Sequence, residues 1–155
     1  MPWSALTSLG SLTIKWCGKL RSLPRGIGKL AALKELTPLG LKELQEMPDL
    51  IGLTSLGSLT IEYCGKLRAL PRGIGKLGAL KVLTLQVLDE LQEIPDTIGR
   101  MTALEHLTLG WCSKLRALPA SIMHLSRPAK AVYFGGPAGG HAVHRSPHGA
   151  ARASP

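Results

Sequence analysis

Leucine, isoleucine and valine recur along this chain on a frame that repeats five times between residues 6 and 124. Residues 53–76 read LTSLGSLTIEYCGKLRALPRGIGK. Residues 6–29 read LTSLGSLTIKWCGKLRSLPRGIGK, and residues 101–124 read MTALEHLTLGWCSKLRALPASIMH. Two variants of the frame, residues 30–52 and 77–100, lie between these copies. Two apolar periods follow one another inside each unit. Leu59-Thr60-Ile61 alternates, as a strand with one buried face does. Leu67, Leu70 and Ile74 then come at spacings of three and four, which predicts a turn-like or short helical return path. One such unit cannot bury both of its faces. Stacked neighbours bury a continuous core between them, so units of this kind come in arrays.

The pattern L-x-x-L-x-[LI]-x-x-C-x-x-L occurs at residues 9–20, 56–67 and 104–115. It resembles a leucine-rich repeat. The continuation L-P-x-x-I-G-x-L resembles the repeats of plant intracellular leucine-rich-repeat proteins, including the C-terminal arrays of nucleotide-binding disease-resistance proteins. The resemblance runs from Leu6 to about Leu125. It implies an α/β fold: a right-handed solenoid of about five coils, whose short parallel strands line a concave face ~4.8 Å apart. It also implies a non-enzymatic protein-binding module, cytoplasmic, with a role in plant defence recognition or signal transduction.

The frame has irregular places. Residues 1–5 form a lead-in too short to cap the first apolar unit. The second unit is one residue short and carries Pro38 within its strand, where an interior parallel strand needs an N–H donor. The weakest strand pairing is expected there. After Leu125 the frame fails. Residues 126–155 are rich in Gly, Ala, Pro and His, lack a period, and are expected to be disordered. Ala131-Val132-Tyr133-Phe134 is the exception, with the composition to fold back onto the fifth unit as a cap.

Composition sharpens this picture. Only six of the 155 residues are Phe, Trp or Tyr, so the core is aliphatic. The net charge of +9 raises nucleic acid and acidic membranes as partners. Residues 1–125 hold fifteen basic and ten acidic side chains, and the tail holds four basic ones and no acid. No apolar run reaches the ~18 residues of a membrane span, and the N-terminus lacks the regions of a signal peptide. There is no Asn, hence no N-glycosylation acceptor. Three cysteines, an odd number, together with no export signal point to a reducing compartment.

Candidate chemistry is sparse. Cys17, Cys64 and Cys112 share one repeat position and are expected to fill space inside the bend after each strand. Residues 73–78, GIGKLG, match a dinucleotide fingerprint but follow Leu70-Pro71 rather than a strand, and the frame already uses Ile74 and Leu77 as core. His141, His144 and His148 lie in the tail without the preorganisation of a metal site. No acid, base or nucleophile set recurs, so no enzyme activity, cofactor or metal is expected. Charges alternate along the stack. Lys19, Glu43, Lys66, Glu90 and Lys114 share one column; Arg25, Asp49, Arg72 and Asp96 share another. Both predict ladders of ion pairs between neighbouring units, which lowers the case for nucleic acid. Arg21, Arg68 and Arg116 face Gln45 and Gln92 instead, leaving a basic row.

The outward strand positions hold a Thr at the centre of every unit. Trp16, Tyr63 and Trp111 share the position just before each cysteine. Exposed Trp and Tyr are the residue types that anchor interfaces; as packing elements, their rings would lie over Gly40 or Val87 of the neighbouring unit. The expected partner-binding set is therefore this aromatic column, with Lys15, Glu62 and His106 on the strands and Arg21, Arg68 and Arg116 beside them. A protein is the expected partner. Nucleic-acid binding through the Arg row and tail, or a truncated array without activity of its own, are the alternatives.

Overall fold

The computed structural model describes residues 8–124 and the strand segments 130–134, 142–145 and 151–154. Each repeat contributes one strand: β1 (Ser11–Lys15), β2 (Glu35–Leu39), β3 (Ser58–Glu62), β4 (Val82–Gln86) and β5 (His106–Gly110). They pair in sequence order, each parallel to the next. Period-two alternation decides which face is buried. Leu59, Ile61, Leu83, Leu85 and Leu107 are fully buried on one side, while the threonines between them stay partly open. Fully burying one such side chain stabilises the fold by about 1.5–3 kcal/mol. The threonines align across the sheet, Thr13 with Thr37 and Thr60 with Thr84 and Thr108. A parallel sheet of five strands, one per repeat, fits a leucine-rich-repeat solenoid.

The return path is a five-residue 3-10 helix over Arg25–Lys29, Arg72–Lys76, Asp96–Arg100 and Ala120–His124. Proline starts each one. Pro24, Pro71 and Pro95 hold φ between −58° and −61° and need no N–H at the first turn. Their carbonyls, and that of Pro119, accept the N–H of Ile27, Ile74, Ile98 and Ile122 at 3.1 Å. The isoleucine is buried each time. The next residue is glycine in the first, third and fourth repeats because neighbouring repeats touch there. A Cβ on Gly28 would meet the Asp49 carbonyl, one on Gly75 the Thr97 carbonyl, and one on Gly99 the Ser121 carbonyl. In the shorter second repeat no 3-10 helix forms and residues 51–52 make a turn instead, with Asp49 Oδ1 accepting Ile51 N–H at 3.0 Å.

The register from β2 to β3 lacks the Thr37 and Pro38 pairs that the β3–β4 ladder has at the same positions. The missing donor of Pro38 lies where the pairing breaks. At the N-terminal end, Leu9, Leu12, Ile14 and Leu20 stay partly exposed, whereas Leu33, Leu36 and Leu44 in the next repeat are fully buried. The lead-in, residues 1–5, lies outside the described residues. The tail was expected to lack regular structure apart from residues 131–134, the segment with the composition to fold back onto the fifth unit; β6 (Lys130–Phe134), which contains them, pairs parallel with β5, and β7 (Ala142–Arg145) and β8 (Ala151–Ser154), which were not expected, follow antiparallel. The physical reason is the outer edge of β5, whose unpaired backbone groups template another strand, and the β-prone Val-Tyr-Phe of β6. Among the described residues no helix is long and apolar enough to cross a membrane.

Candidate partner-binding site

One backbone feature recurs at the end of every strand from β1 to β5. Trp16, Gly40, Tyr63, Val87 and Trp111 all have positive φ, between 54° and 69°. The parallel strand must bend sharply into its return path, and a left-handed residue makes that bend. It also keeps the ladder going: Trp16 N–H donates to Leu39 O, Gly40 N–H to Glu62 O, Tyr63 N–H to Gln86 O and Val87 N–H to Gly110 O, at 2.9–3.0 Å. The left-handed region costs a non-glycine residue about 1–2 kcal/mol, and a β-branched residue such as Val87 is the least suited to it. Glycine is the residue that relieves the cost, and only the second repeat uses it.

The bend turns the following residue inward. Cys64 and Cys112 are buried, as the shared column predicts. Their thiols donate back to Glu62 O and Gly110 O at 3.5 and 3.6 Å, and across the stack toward Pro38 O and Leu85 O at 3.9 and 4.0 Å. Burial pushes both thiols above their ordinary pKa. Cys17, in the first repeat, is exposed and donates to Lys15 O at 3.5 Å.

The aromatic column points the other way. Trp16, Tyr63 and Trp111 remain 61, 50 and 59 % exposed, more than any other large apolar side chain described. They sit at the rim where the strands end, rather than in the middle of the sheet. The indole of Trp16 lies over Gly40, as expected of a packing ring, and reaches on to Tyr63, with ring centroids 6.4 Å apart and planes tilted by 40°.

Beside this rim runs a groove of about 640 Å³, lined by Trp16, Tyr63 and Val87 from the bends and by Lys42, Gln45 and Arg68 from the segments that follow them. Gly65 also lines it. In the repeat frame Gly65 falls between Lys42 and Asp89, so a missing side chain opens the groove at this point. Glu90 and Lys66, which complete the charged lining with Asp89, are engaged elsewhere: Lys114 Nζ bonds Glu90 and Lys66 Nζ bonds Glu43, both at 2.9 Å. The Lys66 hydrogen bond holds the Glu43 carboxyl below its usual range.

Of the expected charge ladders, two pairs form among the described residues, Lys66–Glu43 and Lys114–Glu90. Each of these lysines reaches back one repeat, and neither Lys19–Glu43 nor Lys66–Glu90 is among the ion pairs of the described residues. Arg25 and Asp49 do not pair either, because Asp49 turns to the Ile51 amide. The Arg72 side chain lies outside the described residues. The Arg and Gln column is in register through its backbone, Gln45 N–H on Arg21 O and Gln92 N–H on Arg68 O, at 2.9 and 3.3 Å.

Of the expected set, the groove brings together Trp16, Tyr63 and Arg68. Arg116 borders a separate shallow groove with Gln92, Glu93 and Asp96. Lys15 and His106 are exposed at opposite ends of their strands, and Glu62 is half-buried at the end of β3. Trp111 and Arg21 do not line the groove beside Tyr63. Sequence reasoning missed Lys42, Gly65 and Asp89, which share one repeat position two residues after the bend. Their signal was the alternation of glycine with a charge in that column. The GIGKLG stretch falls on the 3-10 helix Arg72–Lys76, and Gly75 serves coil contact. His141 and His148 lie outside the described residues, as does the side chain of His144. Among the described residues no group of three or more His, Cys, Asp or Glu is placed to hold a metal.

No family model matches the chain and no curated protein does. Among solved structures it aligns with the leucine-rich repeat domain of the type III effector XopL, at 22% identity and a TM-score of 0.35, over 87% of this chain and 71% of that one. It also aligns with a leucine-rich-repeat protein of Leptospira interrogans, at 17% identity and a TM-score of 0.34, over 86% of this chain and 56% of that one. At scores this low the fold rests on the chain's own repeats and strand register.

Proposed function

We propose that this chain is a right-handed leucine-rich-repeat solenoid of five coils that binds a protein partner and carries out no catalysis. The binding surface is the rim formed by Trp16, Tyr63 and Trp111 with the strand positions Lys15, Glu62 and His106 and the basic row Arg21, Arg68 and Arg116. One observation carries this reading: three large aromatics stay half or more exposed at a backbone position whose geometry favours glycine. The bend itself requires only the positive φ, which Gly40 supplies without strain. A ring there adds exposed apolar surface and a backbone cost, and both are offset when a partner covers the ring. A cytoplasmic role in plant defence recognition or signalling follows from the sequence resemblance alone.

The test replaces Trp16, Tyr63 and Trp111 by Ala together. Proteins retained from a plant extract are compared, by mass spectrometry, between the variant and the unaltered chain. Loss of a reproducible interactor, with an unchanged circular dichroism spectrum, is the expected result. Retention of every interactor by a folded variant rules the rim out. Nucleic-acid binding has less support, because Asp89 and Glu90 interrupt the basic lining beside the rim.

A further inference from the structure

The groove under Tyr63 has a direction. Lys42 and Arg68 line it from the second and third repeats and Asp89 from the fourth. Among the described residues none of these three belongs to an ion pair. The remaining charges of the lining, Lys66 and Glu90, are already neutralised by neighbours. Apolar contact comes from Trp16, Tyr63 and Val87 along the rim. The groove therefore offers two cations without an acid of their own, an apolar wall, and one acid without a cation of its own.

We propose that this groove receives an extended peptide segment, with an acidic side chain against Lys42 and Arg68 and an aliphatic or aromatic side chain against Tyr63 and Val87. The proposal rests on the rim being an interface and names the chemistry of what docks there. Spacing follows from geometry. Lys42 and Val87 lie two coils apart, about 10 Å at ~4.8 Å per strand. An extended peptide advances about 3.3 Å per residue, so its acidic and apolar residues stand two or three positions apart. Charge complementarity fixes the orientation, with the acid toward the second repeat and away from Asp89. Asp89 also selects against a phosphodiester backbone, which would carry negative charge along the whole groove.

A random heptapeptide library displayed on phage, selected against the whole chain, tests this. Enrichment of peptides with an acid two or three residues from a Leu, Ile, Val, Phe or Trp supports it. The synthetic form of the leading peptide should then lose about tenfold or more in affinity for the K42E/R68E double variant, a change of ~1.4 kcal/mol. Its affinity should be unchanged for K76E, a charge change on the 3-10 helix of the return path, away from the rim and the groove. Selection of neutral or basic peptides, of no peptide, or of peptides indifferent to K42E/R68E overturns the proposal. So does binding of a uridine homopolymer that K42E/R68E abolishes while no acidic peptide is enriched. If selected peptides carry no acid but still lose affinity on the Trp16, Tyr63 and Trp111 replacements, the rim remains an interface and only this assignment fails.

Discussion

Gly40 lies beneath the indole of Trp16, so closely that a Cβ on Gly40 would stand 2.8 Å from Trp16 Cδ2 and nearer still to two other ring carbons. The two residues occupy the same repeat position one coil apart. The small residue of one coil lets the ring of the previous coil lie across it and meet Tyr63. The rim is thus a layered surface, in which one ring is laid over a glycine and against another ring.

Gly40→Ala should separate these effects. The new Cβ costs about 1–2 kcal/mol at a positive φ and also pushes the Trp16 ring off its seat. In a background with Trp3 and Trp111 changed to Phe, the Trp16 emission should shift to the red as the ring moves into solvent. A urea melt should show a lower midpoint. An unchanged spectrum would mean that the ring does not rest on Gly40.

The fingerprint-like stretch GIGKLG gives a contrast within six residues. Gly75 is buried, and its Cβ would enter the space of the Thr97 carbonyl. Gly78 has no neighbouring atom within 4 Å of such a Cβ. Gly75→Ala should destabilise the chain by about 1–3 kcal/mol through overpacking against backbone. Gly78→Ala should be neutral, or stabilising by up to about 1 kcal/mol through the unfolded chain. Equal effects on the two melting midpoints would contradict the coil-contact role of Gly75.

The strands were legible in the sequence because burial alternates with period two. Leu59 and Ile61 face in and Thr60 faces out, and the next repeat follows the same rule with Leu83, Leu85 and Thr84. The return path was legible from the spacing of Leu67, Leu70 and Ile74. The left-handed bend was not, because its usual marker is glycine, and Trp16, Tyr63, Val87 and Trp111 hide it in four repeats. The alignment of these residues with Gly40 was the one clue. The groove was also hidden. Its uncompensated charges depend on which way each lysine reaches, and a column of alternating signs fits pairing in either direction. Lys66 bonds Glu43 and leaves Glu90 to Lys114. The β-prone Val132-Tyr133-Phe134 marked the segment that pairs with β5, whereas β7 and β8 lie in Gly-, Ala- and His-rich sequence that gave no such signal.

The three thiols share a column but not an environment. Cys17 is exposed, and Cys64 and Cys112 are buried with pKa values pushed up by desolvation. A chromogenic disulfide reagent at about pH 8, where an ordinary thiol is partly ionised, should label one thiol in the native chain and three in urea. Cys17→Ser should abolish the native signal. Linkage gives a second readout. A folded-state pKa above the unfolded value, about 8.5 for a free thiol, contributes stability that is complete below the unfolded pKa. That contribution is lost as pH rises toward the folded pKa, because the unfolded chain releases its protons first. The urea midpoint should therefore fall as pH is raised from about 8 to about 9.5, and Cys64→Ala with Cys112→Ala should flatten the slope. A slope unchanged in the double variant would assign it to other groups.

The break between β2 and β3 can be tested by a single change. Gly40 N–H reaches Glu62 O, so by the two-residue period of a parallel ladder the backbone N of residue 38 faces Thr60 O, and proline has no proton to give. Pro38→Val restores a donor and keeps a buried aliphatic side chain, as Ile61 and Leu85 have at the same repeat position. One added ladder bond contributes about 0.5–1.5 kcal/mol net. The urea midpoint should rise accordingly, and amide exchange across β2 and β3 should slow. A lower midpoint would show instead that the second repeat has closed around the proline ring, and that the change of shape costs more than the bond contributes.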